Sequence, residues 1–516
     1  MTNRYRNDHW TIDDKLGIAG TGDVLARMAL EVRPPFSIRV TGKWGAGKTS
    51  VLRRAFVTLG GQPVQQAVPL GEDKKEADKK DWEKWSYDAT DRDPPLNWPE
   101  DIKNIAKQSL CIWYSPWQHQ GTDNPLIPLL LEIQAQFTTI IRIREGVKKF
   151  NRQGGLATLT LLERVVDAAA SLAIGKGVKM ATGTTDAVRK AWNEGIPQLT
   201  KLSDGQRFHL LFEDAVKNAL ESLSDEQSQD KNLRMIIFID DLDRCEESVI
   251  VELLESIKLY LTSPHCVFVL GVDDTAVLGA MKRHWQTRSE DDNREYLEKM
   301  FQATISVPLP RPAKISDTIT DQLKAHDFPA HKKCADTIEK LLEPNPRKIK
   351  NFCNSLCAAW NQFGGDENQS EDDARQFILF YYLRLCHRPV WRILERQPYA
   401  LPVLHRVLIG DNSGPLPRPP EGVRFDETEQ RMLKELFSRA FLHVLKDDGR
   451  GRDDDHLFHR NMSLDQAVTV FEERLDRKRS DEYFIDLFRD LIGPEVKVLD
   501  GKFLYLPKLA EESPAS

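Results

Sequence analysis

The sequence predicts an α/β protein built on a mostly parallel sheet, and two observations carry that reading. Five short apolar runs stand apart in the chain: Phe36–Thr41, Leu110–Ser115, Arg234–Ile239, Cys266–Val272 and Ala303–Val307. Each is rich in β-branched or aromatic residues and ends at a Gly, Pro, Asp or Ser, as strands buried on both faces do. Long stretches of helical periodicity separate them. Strand and helix in alternation place helices on both faces of a parallel sheet.

Taken in order, Phe36–Thr41 runs into a glycine-rich loop and then a helix over Thr49–Leu59. Leu110–Ser115 is followed by helical spacing over Leu126–Ile143, and a further helix, Phe208–Leu223, precedes Arg234–Ile239. Ser248–Leu261 and Thr275–Trp285 complete the helical set around Cys266–Val272. Two stretches interrupt the rhythm. Residues 61–108 contain a Lys/Asp/Glu run, Glu72–Trp85, with the composition of a solvated surface insert. Residues 145–205 form a second insertion, Ala-rich and helical with several glycines. After Val307 the sheet pattern stops. Asp317–Phe363 reads as a small helical unit, and the chain from Glu371 is mainly helical, broken by a Pro-rich linker, Asp411–Gly422, and a charged loop, Lys446–His456. Val496–Leu499, Asp500-Gly501 and Lys502–Leu506 spell a hairpin, since Asp-Gly suits a type I′ turn. The predicted division is a core over 1–312, a helical unit over 313–370 and a mainly helical region of unassigned role over 371–516.

Composition narrows the functional classes. With 516 residues, 40% hydrophobic and 29% charged, the chain has enough apolar material for real cores. Its net charge of −7 argues against an overall basic coat for nucleic acid. A local basic cluster, Arg142, Arg144, Lys148, Lys149 and Arg152, reads first as a solvated helix end, with nucleic-acid or partner contact as the alternative. A membrane span needs about 18 or more consecutive apolar residues. The best stretch, Leu156–Met180, is broken by Glu163, Arg164, Asp167, Lys176 and Lys179, so no span is expected. The N-terminus lacks an apolar secretion segment, and the seven scattered cysteines fit a reducing compartment; a cytoplasmic location is expected. Cys353 and Cys357 can share a helical face, but no further Cys or His pair completes a zinc set.

Gly42-Lys-Trp-Gly-Ala-Gly-Lys-Thr49 fits the pattern G-x-x-x-x-G-K-[ST], with a strand before it and a helix after. Glycines let backbone N–H groups approach dense phosphate charge, and the helix start adds its dipole at the same point. Gly42, Trp44, Gly45, Ala46, Gly47, Lys48, Thr49 and Ser50 are therefore the predicted nucleotide-binding residues. Lys48 is expected at the β and γ oxygens and the Thr49 hydroxyl at one Mg2+ position. The run Leu233–Ile239 ends in Asp240-Asp241-Leu242-Asp243-Arg244. An acid at such a strand tip can hold Mg2+ and its neighbour can orient or deprotonate the attacking water. Asp240 is the predicted metal-side residue and Asp241 the predicted base. Asp243 and Arg244 form either a structural ion pair or a pairing in which Arg244 faces a neighbouring subunit.

These residues resemble the KAP family of P-loop NTPases. The loop at Gly42 resembles that family's W-G-x-G-K-[ST]. Trp113-Tyr-Ser-Pro-Trp117, followed by Asn124-Pro-Leu, resembles its F-N-x-W strand end and following helix, and Asp240-Asp-Leu-Asp-Arg-Cys245 matches its D-D-L-D-R-C segment. Tyr296-Leu-Glu-Lys-Met-Phe-Gln302 and Asn345-Pro-Arg-Lys-Ile-Lys350 match two further elements. The resemblance implies an additional-strand P-loop NTPase fold, with one strand between the phosphate-loop strand and the acidic one. It also implies a helical lid over 313–370, in which Arg347 contacts phosphate. ATP and Mg2+ are the implied cofactors. Many members carry transmembrane helices between the two nucleotide motifs, where this chain has the 145–205 insertion without a span.

Known bacterial members include phage-exclusion and anti-phage proteins. The family analogy thus implies a nucleotide switch or assembly platform in anti-phage or mobile-element defence. The implied partners are further copies of the chain or other proteins of the same defence operon. A motor acting on nucleic acid and a scaffold with structural ATP are the alternatives. Asp273, at the end of Cys266–Val272, is either a γ-phosphate contact or a plain strand-ending turn, and Arg283 and Arg294 are weaker candidates for an arginine finger in trans.

Overall fold

The computed structural model describes residues 17–61, 105, 109–119, 124–145, 152–175, 203–223, 233–261, 263–362, 369–397, 400–410, 426–441, 444 and 464–492. The Glu72–Trp85 run, the Pro-rich linker, the charged loop and the hairpin signal near the C-terminus lie outside these residues, as do the side chains of the basic cluster around Lys148.

Five strands form one parallel sheet: β1 (Phe36–Thr41), β2 (Leu110–Tyr114), β3 (Met235–Ile239), β4 (Cys266–Val272) and β5 (Ala303–Ser306). Their spatial order is β2-β3-β4-β1-β5. Each matches a predicted run to within a residue or so. Every residue of β2, β3 and β4 is buried, which is why these runs read as continuous rather than alternating. β5 sits at an edge and alternates between half-buried and exposed positions. Strand β4 pairs with both β1 and β3, with Val40 opposite Gly271 and Ile239 opposite Leu270. The phosphate-loop strand and the acidic strand are therefore neighbours once removed, as the resemblance implies.

Side chains alternate across each strand, so the sheet has two covered faces. On one lie α1 (Ala19–Glu31) and α2 (Lys48–Thr58), which pack on each other. Here Phe56 meets Trp113 and Phe238 edge-on, with both ring centroids 5.5 Å away. Arg234 is buried and donates from Nη1 to the carbonyls of Ala29 (3.1 Å) and Val32 (2.8 Å), satisfying groups that the end of α1 leaves open.

The other face is covered by α3 (Leu126–Glu145), α4 (Arg152–Gly175), α5 (Asp204–Leu223), α6 (Glu247–Tyr260), α7 (Asp274–His284) and α8 (Glu290–Met300). Helix α4 belongs to the predicted insertion. Leu162, Val165, Ala168 and Ala169 are nonetheless part of the same apolar cluster as Ile112 and Ile237. No helix among the described residues is long and apolar enough to cross a membrane.

The chain falls into two compact units, Ile18–Pro308 holding the sheet and Leu309–Ser516, whose described elements are helices, apart from short N-terminal pieces. The second unit contains α9 (Pro312–Ala325), α10 (His331–Leu341), α11 (Pro346–Gln362), α12 (Glu371–Cys386), α13 (Arg388–Arg396), α14 (Leu401–Ile409), α15 (Glu427–Ala440) and α16 (Leu464–Leu491). One apolar cluster runs through it from Ile315 to Ile492. Helix α12 is its axis. Phe377 to Leu383 are all buried, and a helix that is apolar all round belongs inside. Cys353 and Cys357 are buried in this core, and burial pushes the Cys357 thiol up to about 12.

One polar group joins distant helices within that core. Asp481 of α16 is fully buried; its Oδ1 accepts from Tyr382 Oη at 2.9 Å and contacts His387 Nε2 at 2.7 Å. His387 packs beside Phe441 and Phe484, its ring centroid 4.6 and 6.4 Å from theirs. Removing it strips a hydrogen bond from a buried carboxylate and leaves a cavity. His387→Ala should destabilise this unit by about 3 kcal/mol. A fall in the urea midpoint with an unchanged slope is the expected record, and a midpoint equal to the parent's would deny the pair its role.

Candidate functional site

Residues following β1, β3 and β4 meet at one edge of the sheet. After β1, the chain turns through Gly42–Gly47, with Gly45 at φ 81° and Gly47 at φ 102°. Such angles suit glycine, and Gly47 is also the residue that starts α2. A Cβ at Gly47 would stand 2.8 Å from Ile18 Cδ1, the movable end of a side chain, so it is the backbone angle that requires glycine here. Lys43 and Trp44 are exposed on the loop, and Ala46 is buried beneath it.

Lys48 is 8% exposed. Its Nζ donates to the Gly42 carbonyl at 2.8 Å, faces Asp243 Oδ2 at 3.4 Å and stands 4.0 Å from Asp273 Oδ2. These acceptors answer the donors of an ammonium that burial has taken from water. Asp273 also caps α7, its Oδ1 accepting from the N–H groups of Thr275 (3.1 Å) and Ala276 (3.4 Å). Asp273 thus makes the strand-ending turn, and its second oxygen faces the lysine.

Asp240, at the tip of β3, is buried, and its Oδ2 has no hydrogen-bond partner. The Thr49 hydroxyl faces the same carboxylate and favours its charged form. Burial first, and the Asp241 charge second, push the Asp240 carboxyl up to about 6. A buried carboxylate oxygen without a partner, beside a hydroxyl, is a hard-oxygen donor set suited to a small divalent cation such as Mg2+. The residues present fit that ion.

The approach of Asp240 to α2 depends on a residue that the sequence reading overlooked. β4 lies between β3 and β1, and Gly271 occupies the crossing point. A Cβ there would come within 2.7 Å of Leu52 Cδ1 and 3.0 Å of Asp240 Oδ1. The signal was a lone glycine inside an otherwise β-branched and aromatic strand, the usual mark of close approach.

Asp241 adopts φ 59°, a left-handed conformation that aspartate tolerates better than most side chains, and opens the tight turn Leu242–Arg244. Arg244 Nε donates to Asp241 Oδ1 at 2.8 Å, and Ser115 Oγ donates to Asp241 Oδ2 at 3.4 Å. The proposed Asp243–Arg244 ion pair is therefore corrected: Arg244 pairs with Asp241, and Asp243 faces Lys48. In a turn this tight, side chains three apart stand over one another, which favours the first pairing.

Trp113 is buried and parallel to Phe238 at 6.1 Å, with the Arg53 guanidinium 3.5 Å from its ring centre. It is a packing residue beneath the site. Trp117 is exposed, with the Arg244 guanidinium 5.3 Å from its ring centre. Arg283 pairs with Glu247, and Arg294 with Glu290 at 3.2 Å. Arg347 lies in the other unit, at the start of α11, where its backbone N–H is held by Asn345 Oδ1 at 3.1 Å. Asn345 thereby caps the helix, and the N-P-R spelling there has a local structural use.

A glycine loop between strand and helix, an acidic strand tip and one strand interposed between them define a P-loop NTPase of the additional-strand class. The sequence model described as the KAP family P-loop domain matches residues 22–359, well over half the chain, and the chain belongs to that family. It is a nucleotide-binding NTPase by that membership. No curated protein matches it. Among solved structures it is similar to the Aeropyrum pernix ORC2 protein in its ADPNP–ADP complexes, at 11% identity over 95% of this chain and 97% of that one, with a TM-score of 0.36. It is also similar to a Walker-type ATPase of Pyrococcus abyssi, at 12% identity over 85% of this chain and 91% of that one, with a TM-score of 0.31. At such TM-scores neither likeness bears on function.

Gly271→Val should lose about 1–3 kcal/mol of stability through overpacking and displace Asp240 from Thr49. Thermal melting and an ATP titration with and without Mg2+ check this. A variant that melts like the parent and keeps its Mg2+ dependence would show that the crossing tolerates a side chain.

Proposed function

We propose that this chain is a Mg2+-dependent ATPase working as a nucleotide-controlled switch or assembly platform in cytoplasmic defence against phage and mobile elements. The observation that carries the enzymatic part is the buried Asp240 oxygen without a partner, set beside the Thr49 hydroxyl and next to the loop that presents Lys48. A site whose lysine is sequestered by carboxylates and whose acid lacks a partner is complementary to a polyphosphate carrying a divalent cation. The defence role and the partners, further copies of the chain or products of the same operon, rest on family analogy.

In this reading Gly42, Trp44, Gly45, Ala46, Gly47, Lys48, Thr49 and Ser50 hold the nucleotide. Lys48 donates to the β and γ oxygens in place of the Gly42 carbonyl. Thr49 and Asp240 hold Mg2+, which when bound neutralises charge on the transferring phosphoryl group. Asp241 orients the attacking water and accepts its proton at a carboxylate oxygen. Arg347 is the residue assigned to sensing the γ-phosphate. The free energy available to a switch is the differential affinity of its two states for nucleotide, typically about 1–3 kcal/mol, or a five- to 150-fold shift. Assembly driven by it is conditional and concentration-dependent.

Lys48→Ala removes a charge-assisted contact worth about 1.5–3 kcal/mol, so ATP affinity should fall roughly ten- to hundredfold. Unchanged affinity in a folded variant would refute the phosphate-loop role. Particle mass measured with ATP, with ADP and without nucleotide, alongside phosphate release, tests the switch. Arg347→Ala should bind ATP as the parent does yet lose the nucleotide-dependent change in mass. If it assembles and hydrolyses like the parent, Arg347 is an ordinary helix-start residue.

A further inference from the structure

We propose that Asp243 is the phosphate-sensing residue of this site: it holds Lys48 while no phosphate is present and, on losing it, turns the Leu242–Arg244 segment so that Arg244 leaves Asp241. The inference rests on the nucleotide-site reading above and concerns how that site is regulated.

The ammonium of Lys48 has one carbonyl and two carboxylates around it, and the nearer carboxylate is that of Asp243, at 3.4 Å. Both side chains of this pair are over nine-tenths buried, so their attraction is weakly screened by solvent or salt. A polyphosphate arriving at Lys48 competes for the same ammonium. It also places negative oxygens beside Asp243, which then loses its cation and gains a like charge.

The two carboxylates differ in what they can do next. Asp273 is fixed by the two N–H groups at the start of α7, so it stays where it is. Asp243 has no such anchor in the helix framework; it is the middle residue of a three-residue turn. Leu242, before it, is fully buried in the core, whereas Arg244, after it, is partly exposed. Displacement of Asp243 is therefore expressed at Arg244.

Arg244 is where displacement matters. Its guanidinium holds Asp241 at 2.8 Å and lies 5.3 Å from the ring centre of Trp117. A carboxylate engaged by a guanidinium and by the Ser115 hydroxyl has few lone pairs left for water. Arrival of phosphate at Lys48 thus frees the carboxylate that the reaction needs, and an empty site keeps it occupied. Asp243 acts through Lys48 and Arg244, so it is a positioning residue.

Trp117 reports the event, because its emission responds to the cation beside its ring. The experiment uses the full-length protein in EDTA, titrated with ATP, ADP and inorganic tripolyphosphate, and followed by calorimetry and tryptophan emission. In a Trp44→Phe background, which removes the tryptophan of the phosphate loop itself, the protein should show an emission change that is absent once Trp117→Phe is added. Tripolyphosphate alone should reproduce it and adenosine should not; that comparison needs no substitution at Asp243 and holds even if variants there fail to fold. Asp243→Asn should bind ATP and ADP roughly three- to tenfold tighter, in keeping with loss of a competing ion pair. Its emission before any addition should already stand at the parent's bound level. Asp243→Glu should restore the parent's behaviour. A parent that binds nucleotide without a Trp117 response overturns the sensor alone. So does an Asp243→Asn protein with the parent's affinity and response, or with weaker binding. A parent that binds none of the three phosphates overturns the nucleotide-site reading itself, and the sensor with it.

Discussion

The constraint on which the sheet unit depends is that Asp240 must meet Thr49 across an intervening strand. β4 separates β3 from β1, so the acidic tip cannot approach the phosphate loop by direct strand pairing. The solution is local and steric. Gly271 leaves a gap at the crossing, which the Asp240 carboxylate and the Leu52 side chain enter from opposite partners. Helix α2 can then lie close over the sheet, with Phe56 against Trp113 and Phe238. The close approach of Asp240 to α2 thus uses the space of one missing side chain.

Charge at the site is arranged in two connected pairs. Lys48 is paired with Asp243, and Arg244 with Asp241, along four successive residues of the acidic turn and one lysine outside it. Both pairs lie beside the buried Asp240, whose raised pKa shows what an uncompensated carboxylate costs there.

The strands and the phosphate loop were legible in the sequence because both are local. A two-face-buried strand declares itself by an unbroken apolar run, and the loop by glycines at fixed offsets between strand and helix. What depends on which strands are neighbours was not legible. Nothing near Gly271 in the chain says that Asp240 lies beside it, since 31 positions and a helix separate them. The partner of Arg244 turned on the left-handed angle at Asp241, which no composition rule predicts for a particular aspartate. Lys48 facing Asp243 needed the register of two strands that do not touch. In the helical unit, the helices could be read from periodicity. That those of 313–362 and those after Glu371 draw on one core could not, because periodicity shows that a face is apolar and not what covers it.

Helix α4 bears on how the family's insertion point can vary. An extra segment between two strands is usually free to lengthen, shorten or vanish, since surface loops tolerate such changes. Here the segment has surrendered that freedom. Leu162, Val165, Ala168 and Ala169 share an interior with the sheet, so excising them would uncover apolar surface on α3 and α5 as well as on the strands. A change that shortens one of those four side chains is therefore felt by α3 and α5 alike, as a cavity in a shared interior rather than a trimmed loop.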